Sequence, residues 1–264
     1  MVKSDPYRAN TKVWRSKAAR RLREAAGGPR SMHQAVSTVA AELLCGVTAP
    51  PTDLDAVARK VNVACFLGDD IAGSGELRRG DAGLIIVYSN YLSKARQRFT
   101  IAHEIAHAYF ESNWVDLSQS SKEIEQLCDM IAAEILMPTP AVSERIKGGL
   151  SIEMILEVAR SFRVSMSAAA IRCSELKRAT VFEANERSVT WGCGFVRKGR
   201  VNRLNPALQL VIQNALRGQS GEEDLLLDSD IGLRPWRAEY RRTGDGRALL
   251  LIRPSRESLK AASA

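Results

Sequence analysis

Apolar and polar positions along the first half of the chain predict helices around a small sheet. Apolar residues recur at helical spacing over residues 32–47, and a second helix is predicted to begin near residue 53, with Thr52 or Asp53 as its capping residue. Short apolar runs at 63–67 and 84–87 predict buried strands, with a turn-rich stretch at 73–80 between them. This order of elements indicates the α+β class.

Two longer helices are predicted after the sheet. Ile101 and Ile105 belong to an apolar face repeated at helical spacing. A second apolar stripe runs from Leu127 to Ile135 and ends before Pro138, which cannot continue a helix. Because each helix has one apolar face, we expect the two to pack together.

Residues 139–177 follow a helix-turn-helix-like pattern. A short turn joins predicted helices at 151–162 and 168–176. The second helix offers only Arg172 and Lys177 to a nucleic acid, whereas DNA-reading helices usually carry a basic face. Structural packing is therefore favoured over DNA contact, which remains an alternative.

Residues 178–264 are predicted to form a mixed α/β C-terminal domain. Strands are predicted at 180–183, 188–196, 233–240 and 248–252, with a helix at 205–216. The region contains no pattern of catalytic residues, and Trp191, Cys193, Trp236 and Tyr240 are interpreted as core or hairpin residues. A sensory or substrate-recognition role is the expectation for this domain.

Positive charge is concentrated at the N-terminus. Residues 1–30 hold nine Lys or Arg and two acidic residues, so they carry most of the net charge of +8. Residues 13–26 can form a short basic helix with Trp14, Ala18 and Leu22 on one face. A solvated basic arm is the favoured interpretation, and contact with nucleic acid, an acidic partner surface or its own domain are the alternatives.

Composition predicts a cytoplasmic protein that does not enter a membrane. No apolar run approaches the ~18 residues that span a bilayer, and no apolar signal segment opens the chain. The five cysteines are odd in number, widely spaced and without a C-x-x-C pair, which is typical of reduced thiols.

The sequence His103-Glu104-Ile105-Ala106-His107 carries the clearest chemistry. Residues four apart share one face of a helix, so both imidazoles can reach one metal ion. Glu104 lies beside them, where it can act as a base toward a water molecule. The chain has only three histidines, and two of them are here, which argues against an ordinary core histidine.

A hydrolytic zinc site of this type needs a third protein ligand and an open position. Glu125, on the second helix, is the candidate ligand. Asp129 lies one turn later and can accept the N–H of a ligand histidine, although a solvated acidic face is the alternative for it. Cys128 is a rival ligand by element but points to a different side of the helix.

At these residues the chain resembles the ImmA/IrrE family of bacterial metallopeptidases. The resemblance is carried by Arg98-Phe99-Thr100-Ile101-Ala102-His103-Glu104-Ile105-Ala106-His107 and by Ala132-Ala133-Glu134-Ile135-Leu136-Met137-Pro138. It covers about residues 33–176 and weakens afterwards. Ala106 departs from the glycine that relatives often have, but both residues are small.

The resemblance implies roles for the site residues and an activity for the protein. It assigns zinc binding to His103, His107 and Glu125 and the catalytic base to Glu104. It also implies cleavage of a transcriptional repressor or antitoxin-like protein in a stress or induction response. Two alternatives stay open: a DNA- or partner-binding transcriptional regulator with a structural zinc, and a hydrolase of non-peptide substrates. Zinc suits the donors best, and manganese or iron are the alternative metals.

Further residues can complete such a site. An oxyanion needs stabilisation besides the metal. Tyr88, Tyr91 and Tyr109 are candidates by chemistry only, and a core or rim aromatic is the favoured interpretation of each. The predicted strand at 84–87 can pair with an extended peptide substrate.

The sequence therefore predicts four parts. They are a basic N-terminal arm at 1–30, a zincin-like metallopeptidase core at 31–138, a helical segment at 139–177 and the C-terminal domain at 178–264.

Overall fold

The computed structural model describes residues 13–28, 31–47, 50–113, 122–196, 198–229, 232–244 and 246–254. The chain divides into two compact units. The first comprises the described residues of Lys12–Glu144 together with Val158–Ala168. The second comprises Arg145–Glu157 and the described residues of Ala169–Ala264.

The first unit combines helices with a small sheet, as the sequence predicts. Its elements are α1 (Lys17–Ala25), α2 (Met32–Leu43), α3 (Leu54–Arg59), β1 (Val63–Asp69), β2 (Gly75–Gly80), β3 (Gly83–Ser89), α4 (Lys94–Asn113), α5 (Lys122–Leu136) and α6 (Thr139–Arg145). The fold is therefore α+β, with the two predicted long helices present as α4 and α5.

Local side-chain hydrogen bonds fix where the early helices begin. Ser31 and Gln34 form a capping box at α2, and the Asp53 carboxylate accepts from two backbone amides at the start of α3. Thr52 has a different role, because its hydroxyl donates to the Ile135 carbonyl, 2.8 Å away in a buried position. This bond ties the start of α3 to the end of α5.

The three-stranded sheet has the order β1-β3-β2. β3 is central, parallel to β1 and antiparallel to β2. The predicted pairing of residues 84–87 with a substrate is therefore wrong, because β1 and β2 already occupy both edges of β3. The stretch predicted as turn-rich at 73–80 contains the edge strand β2, whose charged sequence hides its strand character.

Helices α4 and α5 pack along each other, and α4 also contacts the sheet. Ala102, Ala106 and Ala132 are fully buried. These small side chains allow the close packing, and larger residues of α5, among them Leu127 and Ile131, fill the adjacent core.

The described part of the basic N-terminal segment is folded onto its own unit. Ala18, Ala19 and Leu22 are buried, and α1 contacts α2 and α5. The Glu123 carboxylate of α5 accepts from the backbone amides of Arg15, at 3.1 Å, and Ser16, at 2.8 Å. The interpretation as a solvated arm is therefore wrong for residues 16–26, while residues 1–12 and 29–30 lie outside the described residues.

Two helices follow α6, namely α7 (Ile152–Phe162) and α8 (Met166–Lys177). They match the predicted helix pair, and Arg163 in the turn between them has a positive φ of 52°. Ala169, Ala170 and Cys173 of α8 are buried.

The second unit contains a six-stranded antiparallel sheet in the order β6-β5-β4-β9-β8-β7. Its elements are β4 (Thr180–Ala184), β5 (Ser188–Cys193), β6 (Gly199–Arg200), α9 (Pro206–Leu216), β7 (Gly221–Ser229), β8 (Gly232–Thr243) and β9 (Arg247–Pro254). Helix α9 packs against the sheet through a core that includes Phe182, Leu208 and Ile212. The sequence did not predict β7, because the acidic first half of this strand lacks the alternation of apolar and polar residues that is typical of a half-buried strand.

Across the described parts of the chain, we find no helix with both the length and the apolar character that crossing a membrane requires.

Candidate metal centre

Helices α4 and α5 bring three metal-binding side chains together. His103 and His107 lie one turn apart on α4, with their Nε2 atoms 3.1 Å apart. Glu125, in the first turn of α5, places Oε2 3.3 Å from Nε2 of His103 and Oε1 3.5 Å from Nε2 of His107. All three donor atoms therefore face one point in space.

These separations fit a tetrahedral metal ion. Bonds of about 2.0–2.1 Å from zinc to nitrogen and oxygen place neighbouring ligand atoms about 3.3 Å apart. The three measured distances of 3.1, 3.3 and 3.5 Å bracket that value. The donor chemistry, two imidazoles and one carboxylate, suits zinc and leaves a fourth position open. The residues present therefore fit a metal ion.

Asp129 lies where the sequence places it, one turn after Glu125. Its Oδ1 is 2.9 Å from Nδ1 of His103. If Nδ1–H donates to this carboxylate, the lone pair of Nε2 is left facing Glu125 and His107. Burial lowers the pKa of His103, but the hydrogen bond and charge of Asp129, together with the charges of Glu104 and Glu125, raise the pKa overall.

Burial favours the neutral imidazole of His107, which is the form that binds metals. Burial lowers its pKa, and the neighbouring charge of His103 lowers it further. Glu125 acts in the opposite direction without reversing the shift.

Glu104 is nearly buried beside the two histidines, with 9% of its surface exposed. Burial raises its pKa to about 7, although the charge of His103 opposes the shift. A carboxyl group with this pKa can both accept and release a proton near neutral pH.

Cys128 does not join the donor group. It is fully buried on α5, and burial raises the pKa of its thiol far above the ordinary range. The group of converging donors among the described residues contains His103, His107 and Glu125. The rival assignment of Cys128 as a ligand is thus not supported.

An open cavity of about 550 Å³ leads to these side chains. Its lining residues are Ser74, Gly75, Leu77, Arg96, Phe99, Thr100, His103, Glu104, His107, Glu111, Glu125 and Asp129. Sequence reasoning missed the members outside the metal group. A helical projection could have found Arg96, Phe99 and Thr100, which lie seven, four and three positions before His103.

The three tyrosines proposed from sequence do not line this cavity among the described residues. Tyr109 is buried, with 8% of its surface exposed. Tyr91 is exposed and donates its hydroxyl to Asp70, at 3.1 Å. Tyr88 lies on the central strand β3. Their assignment as oxyanion-stabilising residues is therefore not supported by their positions.

Gly75 allows β2 to approach α4 closely. A Cβ atom at this position would overlap Cγ2 of Thr100 and lie 3.4 Å from Oε1 of Glu104. Thr100 is buried and β-branched, so it has little freedom to move aside. The edge strand thus runs directly beside Glu104 because residue 75 has no side chain.

Comparison with known proteins identifies the domain around this site. Residues 61–174 match the model of the IrrE N-terminal-like domain. Over 101 residues the chain is 34% identical to the radiation response metalloprotease IrrE of Deinococcus radiodurans. This match covers 34% of this chain and 31% of that protein. The match thus spans about a third of the relative's length.

Among solved structures, a Mycobacterium tuberculosis transcriptional regulator is similar at a TM-score of 0.48 and 12% identity, over 90% of this chain and 80% of that one. The family model covers the region that holds the two histidines and Glu125. Residues 61–174 therefore match an IrrE N-terminal-like domain, and together with the metalloprotease match this supports membership of the ImmA/IrrE family.

Proposed function

We propose that this protein is a zinc-dependent endopeptidase that cleaves a specific protein partner. The observation that carries the proposal is the convergence of His103, His107 and Glu125 beside the nearly buried Glu104, in the lining of an open cavity. A hydrolytic zinc site differs from a structural one in having three protein ligands with an open fourth position, and it needs a nearby carboxyl group that can exchange a proton.

His103, His107 and Glu125 would hold the metal ion, with Asp129 orienting His103. A bound zinc ion supplies Lewis-acid chemistry, which makes water more acidic and polarises a peptide carbonyl. Glu104 takes the proton from the attacking water at its carboxylate and passes it to the leaving amine. Its pKa of about 7 in the metal-free protein suits both transfers.

The edge strand β2 is the proposed place for the substrate backbone. The sheet order leaves one edge of β2 without a partner among the described strands, and Gly75 and Leu77 of this strand line the cavity. An extended peptide added to that edge gains backbone hydrogen bonds and passes the two histidines. β2 thus takes the role that the sequence analysis gave to the strand at 84–87.

The substrate we propose is a transcriptional repressor or antitoxin-like protein, cleaved in a stress or induction response in the cytoplasm. Support comes from the family and from the similar protein described as a radiation response metalloprotease. All five cysteines are free thiols, which suits a reducing compartment.

The test compares the wild type with Glu104→Gln, Glu125→Ala and the control Glu157→Gln on an exposed position of α7. We expect about one zinc per wild-type chain by elemental analysis, retention in Glu104→Gln and a large loss in Glu125→Ala. Cleavage of candidate repressors, followed by mass spectrometry, should disappear in both site variants and persist in the control.

The same variants separate the alternatives. If regulatory activity in cells survives Glu104→Gln, the peptidase proposal fails and a binding regulator with a structural zinc is favoured. If Glu125→Ala retains all of its zinc, the third ligand is wrongly assigned.

A further inference from the structure

Arg96 lies in the cavity but has no part in the metal group. It belongs to the first turn of α4, seven residues before His103, which places both on one stripe of the helix. Phe99 and Thr100 line the cavity between them. Seven residues correspond to about 10 Å along the helix axis, a distance that an extended peptide covers in about three residues.

The charges around the cavity make Arg96 distinctive. The described lining of the cavity contains one arginine and four acidic residues, which are Glu104, Glu111, Glu125 and Asp129. Glu111 already pairs with Arg79. No carboxylate of the described residues lies within ion-pair distance of the Arg96 guanidinium, so it has capacity for a ligand.

Phe99 holds this guanidinium in place. Cζ of Arg96 lies 5.3 Å from the centroid of the Phe99 ring, within the range of a cation–π interaction. The Phe99 ring is in turn 6.3 Å from the ring of His103. The aromatic contact restrains the side chain while leaving its N–H groups free to donate, and a planar guanidinium binds carboxylates through two parallel hydrogen bonds.

We infer that Arg96 binds a carboxylate of the substrate chain, either an acidic side chain or the C-terminal carboxylate, about three residues from the scissile bond. The inference rests on the proposed function, because it takes the bound chain to be the substrate. Arg96 is the one Lys or Arg side chain in the described lining of the cavity, so a carboxylate bound to it also fixes the register of the substrate.

The test measures binding without turnover, using the zinc-loaded Glu104→Gln protein. The probes are N-acetylated hexapeptides that carry Glu or its isostere Gln at one of the six positions, with neutral residues elsewhere. One set has amidated C-termini and the other has free C-terminal carboxylates. Fluorescence anisotropy gives the dissociation constants.

We expect Glu to bind about tenfold more tightly than Gln at one position, since hydrogen bonds to charged groups exceed neutral ones and the site is partly exposed. If the C-terminal carboxylate is the ligand, the free-acid set binds about tenfold more tightly than the amidated set. Arg96→Ala should remove the preference, and Arg96→Glu should reverse it, so that the Gln peptide binds more tightly than the Glu peptide.

Lys94→Ala is the matched control, because it removes a cation from the same helical turn without touching the cavity lining. It should keep the preference, and all variants should bind the same amount of zinc. The absence of any carboxylate preference, or a preference that survives Arg96→Ala, overturns the inference.

Cleavage of the same peptides by the wild type is followed separately by mass spectrometry. If neither these peptides nor the candidate repressors are cleaved, the proposed function is contradicted, while the binding data still decide the role of Arg96. Cleavage with an unchanged sequence profile in Arg96→Ala would contradict the role of Arg96 alone.

Discussion

The contact between Asp129 and His103 gives the sharpest quantitative prediction. Replacing Asp129 by Ala removes a carboxylate 2.9 Å from Nδ1 of His103. A hydrogen bond to a charged group contributes about 1.5–3 kcal/mol. Asp129 has 58% of its side chain exposed, so solvent screening puts the effect at the low end. We therefore expect about tenfold weaker zinc binding, while Asp129→Asn, which keeps an acceptor without the charge, loses less.

The size of this effect should depend on pH. Burial lowers the pKa of His103, but neighbouring carboxylates, with Asp129 contributing most, raise the pKa overall. Zinc needs the neutral imidazole, so protons compete more strongly in the wild type than in Asp129→Ala. The full difference in zinc affinity between the wild type and Asp129→Ala is expected above the wild-type pKa of His103. This difference narrows as the pH falls through that pKa, because the wild type loses zinc affinity at a higher pH than the variant does.

A competition titration against a chromophoric zinc chelator, repeated over a range of pH, measures both effects. Glu157→Ala serves as the control for removing an exposed acidic residue from a helix, and circular dichroism confirms that each variant is folded. Equal zinc affinity of Asp129→Ala and the wild type at alkaline pH would refute the reasoning. Asp129 would then be a solvated acidic residue, which is the alternative that the sequence left open.

Three further predictions concern packing around the site. Gly75→Ala should reduce peptidase activity and lower the melting temperature, because the new Cβ overlaps Cγ2 of Thr100. The double variant with Thr100→Ser, which lacks that methyl group, should recover stability. A single variant as stable as the wild type would contradict the close approach of β2 to α4. Thr52→Val should cost about 1–2 kcal/mol in urea unfolding, because the buried Ile135 carbonyl loses its donor, and an unchanged midpoint would argue against that bond. Cys128→Ala should keep its zinc by elemental analysis and lose about 1 kcal/mol of stability through the missing buried atom, whereas loss of zinc would restore Cys128 as a ligand.

The helices of the metal site could be predicted because their signals are local. The spacing of His103 and His107 needs only a helix to bring both side chains to one face, and the stripe that ends before Pro138 marks α5 by itself. The pairing of Glu125 with these histidines depends on packing between the helices. It was predictable through the family resemblance and through the apolar faces that the two helices must bury against each other.

Strand pairing was not predictable in the same way. The charged residues of β2 hide its strand character, and its pairing depends on the rest of the sheet. The sequence of β3 fits either an edge strand or a central strand equally well. The assignment of the three tyrosines as oxyanion-stabilising residues lacked support for a similar reason. Their chemistry suggested the role, but only the fold decides which side chains reach the cavity. Burial of α1 depends on distant partners in α2 and α5, which charge counting cannot reveal.

The contact of Glu123 with the N-terminal segment sets a limit on how the protein can be dissected. The family domain covers residues 61–174, yet Glu123 within it accepts hydrogen bonds from Arg15 and Ser16, about a hundred positions earlier. A fragment trimmed to the domain boundaries would leave that carboxylate without these donors, two residues from Glu125. A fragment that keeps both hydrogen bonds at the start of α5 must therefore include residue 15, well outside the boundaries that similarity alone would suggest.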